Sequence, residues 1–125
     1  MILLVCGDRN WTDRKKIKRR LKRWLVEADA ISEDFMPRHL LIHGAARGVD
    51  TIAGELGLKL RFDVKAFPAD WEKHGKSAGP IRNRKMLDQC PHLVIAFHSD
   101  IEKSKGTKDC IFEANRRKMT VEIIP

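Results

Sequence analysis

The chain has 125 residues, 42% of them hydrophobic and 34% charged, enough for one soluble domain whose core needs neither disulfides nor metal. No apolar run approaches the length of a membrane span, and the short run Met1–Gly7 lacks the basic leader of a signal peptide. The net charge is +8, and three scattered cysteines without CxxC spacing (Cys6, Cys90, Cys110) suit reduced thiols in the cytoplasm.

In chain order, Ile2 to Val5 read as a buried strand that enters the polar turn Gly7-Asp8-Arg9-Asn10-Trp11. Thr12 or Asp13 is placed to cap a helix from about Asp13 to Ala30. Its first half holds Arg14, Lys15, Lys16, Lys18, Arg19, Arg20, Lys22 and Arg23, eight cations that equal the whole net charge. Ile17, Leu21, Trp24 and Leu25 recur at helical spacing, so the apolar side packs inward and the exposed side is basic. A solvated face explains such a helix without a partner. Nucleic acid or an acidic protein explains it with one, through Arg14, Lys15, Lys18, Arg19 and Lys22.

After a return loop, Ser32 to Arg38, the run Leu40-Leu41-Ile42-His43 reads as a second buried strand. It enters Gly44-Ala45-Ala46-Arg47-Gly48, and a helix follows from Val49 to about Leu60. Small residues in such a turn let backbone N–H groups approach an anion, and Arg47 can add a guanidinium fork. Phe62 to Phe67 alternates as an exposed strand near an edge would, and Pro68 to Pro80 reads as a long binding loop. A helix from about Gly79 to Cys90 carries Arg82, Asn83 and Arg84 near its start. His92 to Phe97 is a fourth strand, His98 to Thr107 a loop, Thr107 to Arg117 a helix, and Met119 to Ile124 a fifth strand.

This alternation predicts a single α/β domain over residues 1–125, Rossmann-like and three-layered, with a mostly parallel five-stranded sheet. Ligands of such sheets lie beyond the carboxyl ends of the strands, where strand order reverses. The four turns leaving those ends all bear glycine and polar groups, which predicts that they converge on one phosphate-bearing molecule. GxGxxG and Walker patterns are absent, as is a glycine-flanked nucleophilic serine. His39 and His43 bracket a strand-like run, so no metal is expected, and no cofactor is implied.

Five motifs in order also resemble a known family. They are Cys6-Gly7-Asp8-Arg9-Asn10-Trp11-Thr12-Asp13, His43-Gly44-Ala45-Ala46-Arg47-Gly48-Val49-Asp50, Phe67-Pro68-Ala69-Asp70-Trp71, Gly79-Pro80-Ile81-Arg82-Asn83-Arg84-Lys85-Met86 and Lys105-Gly106-Thr107. Together they are similar to the YspA (cpYpsA-related) branch of the SLOG superfamily, a group related to the LOG phosphoribohydrolases and the DprA/Smf proteins and frequent in phages and mobile elements. The resemblance implies a Rossmann-like pocket that senses or processes a nucleotide or nucleotide-derived ligand. Its implied contacts are Gly7, Asp8, Arg9, Trp11, Gly44, Ala45, Ala46, Arg47, Gly48, Asp50, Trp71, Arg82, Asn83, Arg84, Lys105, Gly106 and Thr107. For LOG-like cleavage of an N-glycosidic bond the candidates are Arg82 and Asp109, with Asp50 a second carboxylate. The LOG double glycine is missing, however, and Cys110 stands where its glutamate would. A small nucleotide-like molecule is the expected partner, with no membrane partner, and a homo-oligomer stays open.

Overall fold

The computed structural model describes residues 1–125. Its sheet is entirely parallel and ordered β3-β2-β1-β4-β5, with β1 at Ile2–Gly7, β2 at Leu40–His43, β3 at Asp63–Ala66, β4 at Leu93–Phe97 and β5 at Val121–Ile124. Helices α1 (Arg14–Ile31) and α2 (Val49–Lys59) cross on one face, and α4 (Ala78–Leu87) and α5 (Lys105–Arg116) on the other. A four-residue helix, α3 (Trp71–His74), lies between β3 and α4. No helix is long and apolar enough to cross a membrane.

Two buried clusters explain the layering. Side chains alternate along a strand, so Leu3, Val5, Leu41, Ile95 and Phe97 face α1 and α2, whereas Leu4, Cys6, Ile42, Val94 and Ala96 face α4 and α5. Ile17, Leu21, Trp24 and Ala28 of α1 meet the first set, and Met86, Leu87, Cys110, Ile111 and Ala114 meet the second. The α1 start is fixed by Asp13, whose carboxylate accepts from the Lys16 amide at 3.0 Å. β3 sits at a sheet edge, as its alternation predicts, and Asp63 and Lys65 on it are exposed.

The structure corrects several boundaries. Pro68 to Pro80 is not a plain loop: α3 and a 3-10 turn over Gly75–Ser77 fill most of it, and α4 begins at Ala78. Asp70 caps α3 by accepting from the Lys73 amide, a local signal outweighed in the sequence by the stretch's polar composition. α4 ends at Leu87 rather than Cys90, which sits at φ 56, outside helical geometry.

Arg20 departs from the expected basic surface. It is only 8% exposed, and its Nε donates to Glu122 of β5 at 2.8 Å, while its Nη1 has no partner. A buried charge depends on its counter-ion, so Glu122→Ala should cost about 1.5–3 kcal/mol in urea unfolding. Arg20→Met, which removes the buried charge itself, should cost less.

Candidate functional site

The β2–α2 turn is held from within. Asp50 folds back so that its Oδ2 accepts from the amides of Gly44 and Ala46, both at 3.1 Å. Two N–H groups that the sequence offers to a ligand are therefore satisfied by the protein's own carboxylate. Burial pushes the Asp50 pKa up to about 6, against the pull of the Ala46 amide and the Arg82 charge. His43 accepts from the Ala45 amide through Nδ1 at 3.0 Å, and burial, with Arg82 nearby, lowers its pKa. Gly54 makes room for that ring: a Cβ there would lie 2.7 Å from the imidazole Nε2.

Gly48 joins this turn to the one after β1. Its φ of 73° suits glycine, and a Cβ would press on the carbonyl oxygens of Asp8 and Arg9. The Val49 amide donates to the Asp8 carbonyl at 3.1 Å. This close approach brings Arg9 and Arg47 to the walls of the same hollows.

From the other face, α4 supplies Arg82. Its Nη1 donates to the carbonyl oxygens of Gly44 and of Phe67, the latter at 3.4 Å, which ties the ends of β2 and β3 together. Its Nε donates to Asn83 Oδ1 at 2.9 Å. Asn83 is 3% exposed, and its Nδ2 donates to Asp109 at 2.9 Å and to the Gly106 carbonyl at 3.2 Å.

The result is a cavity of about 390 Å³ lined by Arg9, Gly44, Ala45, Ala46, Arg47, Pro68, Ala69, Trp71 and Arg82. Three guanidinium groups border it and no carboxylate does. Trp71 packs its ring against Gly79, where a Cβ would lie 3.5 Å from Cη2, and remains 52% exposed. A second hollow of about 510 Å³ shares Arg9 and Arg47 and adds Asn10, Trp11, Thr12, Gly48, Thr51 and Ile52. There Trp11 stands edge-on to Phe97 at 5.7 Å, with its Nε1 donating to the Asp13 carbonyl at 2.9 Å.

Three of the four turns expected to converge line these two hollows. Arg9, Gly44, Ala45, Ala46, Arg47, Trp71 and Arg82 meet in the first cavity, and Trp11 and Gly48 line the second. Gly7, Asp8, Asn83, Arg84, Lys105, Gly106, Thr107 and Asp109 line neither, and Asp50 is buried. Thr107 is turned inward, with its hydroxyl donating to the Gly7 carbonyl at 3.2 Å. The Asp8 amide donates to the Phe97 carbonyl at 2.9 Å. These bonds join the β1 and β4 ends, so the two hollows lie to the β1–β2–β3 side of the strand-order reversal. Pro68 and Ala69 also line the first cavity, and their place in the polar stretch after β3 is the sequence signal for them. The cysteines carry no site: the Cys110 thiol beside Cys6, with burial, holds Cys6 protonated, and only Cys90 is exposed.

Residues 1–74 match the family described as YspA, cpYpsA-related SLOG. The chain is also 35% identical over 120 residues to the Gene 61 protein of Mycobacterium phage D29, covering 91% of this chain and 88% of that one. No solved structure matches. A phage relative fits the expected link with mobile elements.

Asp50 gives the turn a pH signature. Its folded pKa, about 6, lies above the ordinary value of 3.8, so its contribution to stability is complete below about pH 4 and lost as pH rises through 6. The loss should total about 3 kcal/mol. Asp50→Asn keeps an amide-accepting oxygen without the charge, and should abolish this component in urea unfolding measured between pH 4 and 7.5. An unchanged pH slope in the variant would show that the charge on Asp50 does not set it.

Proposed function

We propose that this chain, which belongs to the YspA, cpYpsA-related SLOG family, binds the phosphate of a nucleotide or nucleotide-derived ligand in the cavity bordered by Arg9, Arg47 and Arg82. SLOG membership points to nucleotide-related binding or processing in general terms. The observation that supports the particular reading is the lining itself: three cations from three separate segments around one concave space, with the nearby Asp50 carboxylate turned onto the Gly44 and Ala46 amides and outside the lining. Guanidinium groups suit phosphate because their planar forks donate paired hydrogen bonds. The cavity volume falls in the range of small-molecule sites.

Arg82 and Arg47 divide the work. Arg82 is held by the Gly44 and Phe67 carbonyls and by Asn83, so it presents a fixed charge at little entropic cost on binding. Arg47 is exposed and makes only a 3.4 Å bond to Asn10, so it can close over a ligand. Trp71 offers an open ring face on which a base can stack.

Hydrolysis of an N-glycosidic bond is less supported. An oxocarbenium-like transition state needs a carboxylate beside the scissile bond. Asp109 is held by Asn83, Asp50 is spent on the turn amides, and neither lines the cavity.

Calorimetry against a panel of mononucleotides, nucleoside diphosphates and dinucleotides tests the proposal. At least one should bind, and Arg47→Ala should weaken it by about 1–3 kcal/mol while leaving the thermal midpoint unchanged. Failure of every phosphate-bearing ligand to bind at millimolar concentration, or equal binding by Arg47→Ala, would overturn it.

A further inference from the structure

Half of the eight α1 cations between Arg14 and Arg23 have structural partners. Arg14 pairs with Glu55 at 2.9 Å, Arg20 with Glu122 at 2.8 Å, and Arg23 with Glu27 and Glu122 at 3.5 and 3.4 Å, while Lys16 donates to the Pro125 carbonyl at 2.8 Å. Lys15, Lys18, Arg19 and Lys22 are exposed and make no ion pair. Their spacing of i, i+3, i+4 and i+7 puts all four on one stripe, roughly 10 Å long, opposite the buried Ile17–Leu21–Trp24 side.

This stripe works against its own helix. It lies in the amino-terminal half, where the helix dipole disfavours positive charge, and the first turn holds no acid. Like charges at i+3 and i+4 repel as well. Beyond the Asp13 cap, the four stripe cations meet no acid within the protein, and a local arrangement that works against its own helix points outward, to a function.

We propose that the Lys15–Lys18–Arg19–Lys22 stripe docks on the phosphate backbone of duplex DNA. Charge complementarity selects a polyanion, and the fold narrows which one. Ile17 and Leu21 are at 0% exposure and Trp24 at 3%, and the exposed apolar residues of α1, Val26 and Ile31, lie beyond the stripe toward the carboxyl end, so the stripe has no apolar side chain of its own to enter a lipid surface. The stripe carries no aromatic ring to stack unpaired bases, as single-strand binders do. A convex helix fits the wide major groove of B-form DNA and not the deep, narrow one of A-form RNA. The surface is distinct from the arginine-lined cavity, so it stands or falls independently of the ligand proposed there.

Fluorescence anisotropy with labelled duplex DNA tests this in the full chain. Four phosphate contacts should give a log–log salt slope of about −3.6, or roughly a 150-fold loss of affinity between 50 and 200 mM salt. The variant Lys15→Gln/Lys18→Gln/Arg19→Gln/Lys22→Gln should lose nearly all of that slope, and its thermal midpoint should equal or exceed the parent's because repulsion has been relieved. Opposite movement of stability and binding separates a docking role from a folding one. Binding by the variant equal to the parent's would overturn the proposal, as would a slope shallower than about −1. So would single-stranded DNA, duplex RNA or polyglutamate competing as well as duplex DNA at equal charge.

Discussion

The arrangement depends on one carboxylate turned back on its own chain. Without Asp50, the buried Gly44 amide at the end of β2 would be left unsatisfied, a cost of roughly 1–3 kcal/mol, and the half-buried Ala46 amide would lose its partner. With it, the turn closes into a rigid unit before any ligand arrives. An acid in the first turn of α2 also suits that helix's positive end, so one side chain serves both the turn and the helix.

That internal anion changes what the turn can offer. A glycine-bearing βα turn ordinarily presents bare amides to phosphate. Here two of those amides are occupied, and the positive field toward solvent comes from guanidinium groups anchored around the turn. Gly44 matters for this reason: a Cβ there would collide with the Arg82 guanidinium, so its small size admits a side chain from the opposite face of the sheet. The cavity is therefore assembled from both layers, with α2 stabilising the turn and α4 supplying a fixed cation.

Much of the architecture was legible because hydrophobic period and turn residues agree along the chain. Leu40 to His43 could be read as a buried strand, and Ile17, Leu21 and Trp24 as the inner side of a helix, without knowledge of any contact. The family resemblance rested on five short motifs and is borne out by the match over residues 1–74. Contacts between distant residues were harder to read. Nothing local marks Arg20 as buried, because Glu122 lies 102 positions away. The family resemblance implies Thr107 as a ligand contact, and nothing local announces that its hydroxyl donates to the Gly7 carbonyl, 100 positions distant. Asp50 likewise read as a contact, since spacing alone does not say whether an acid turns toward the solvent or toward its own turn.

The uneven burial of the three thiols has a practical side. Cys6 and Cys110 lie inside the packed layer beneath α5, whereas Cys90 is exposed just ahead of β4, at the amino-terminal edge of the sheet and away from the strand ends that carry the arginines. A maleimide dye offered to the native fold thus has a single address. It would report on tumbling and complex formation from the molecule's far end, leaving the cationic hollows untouched.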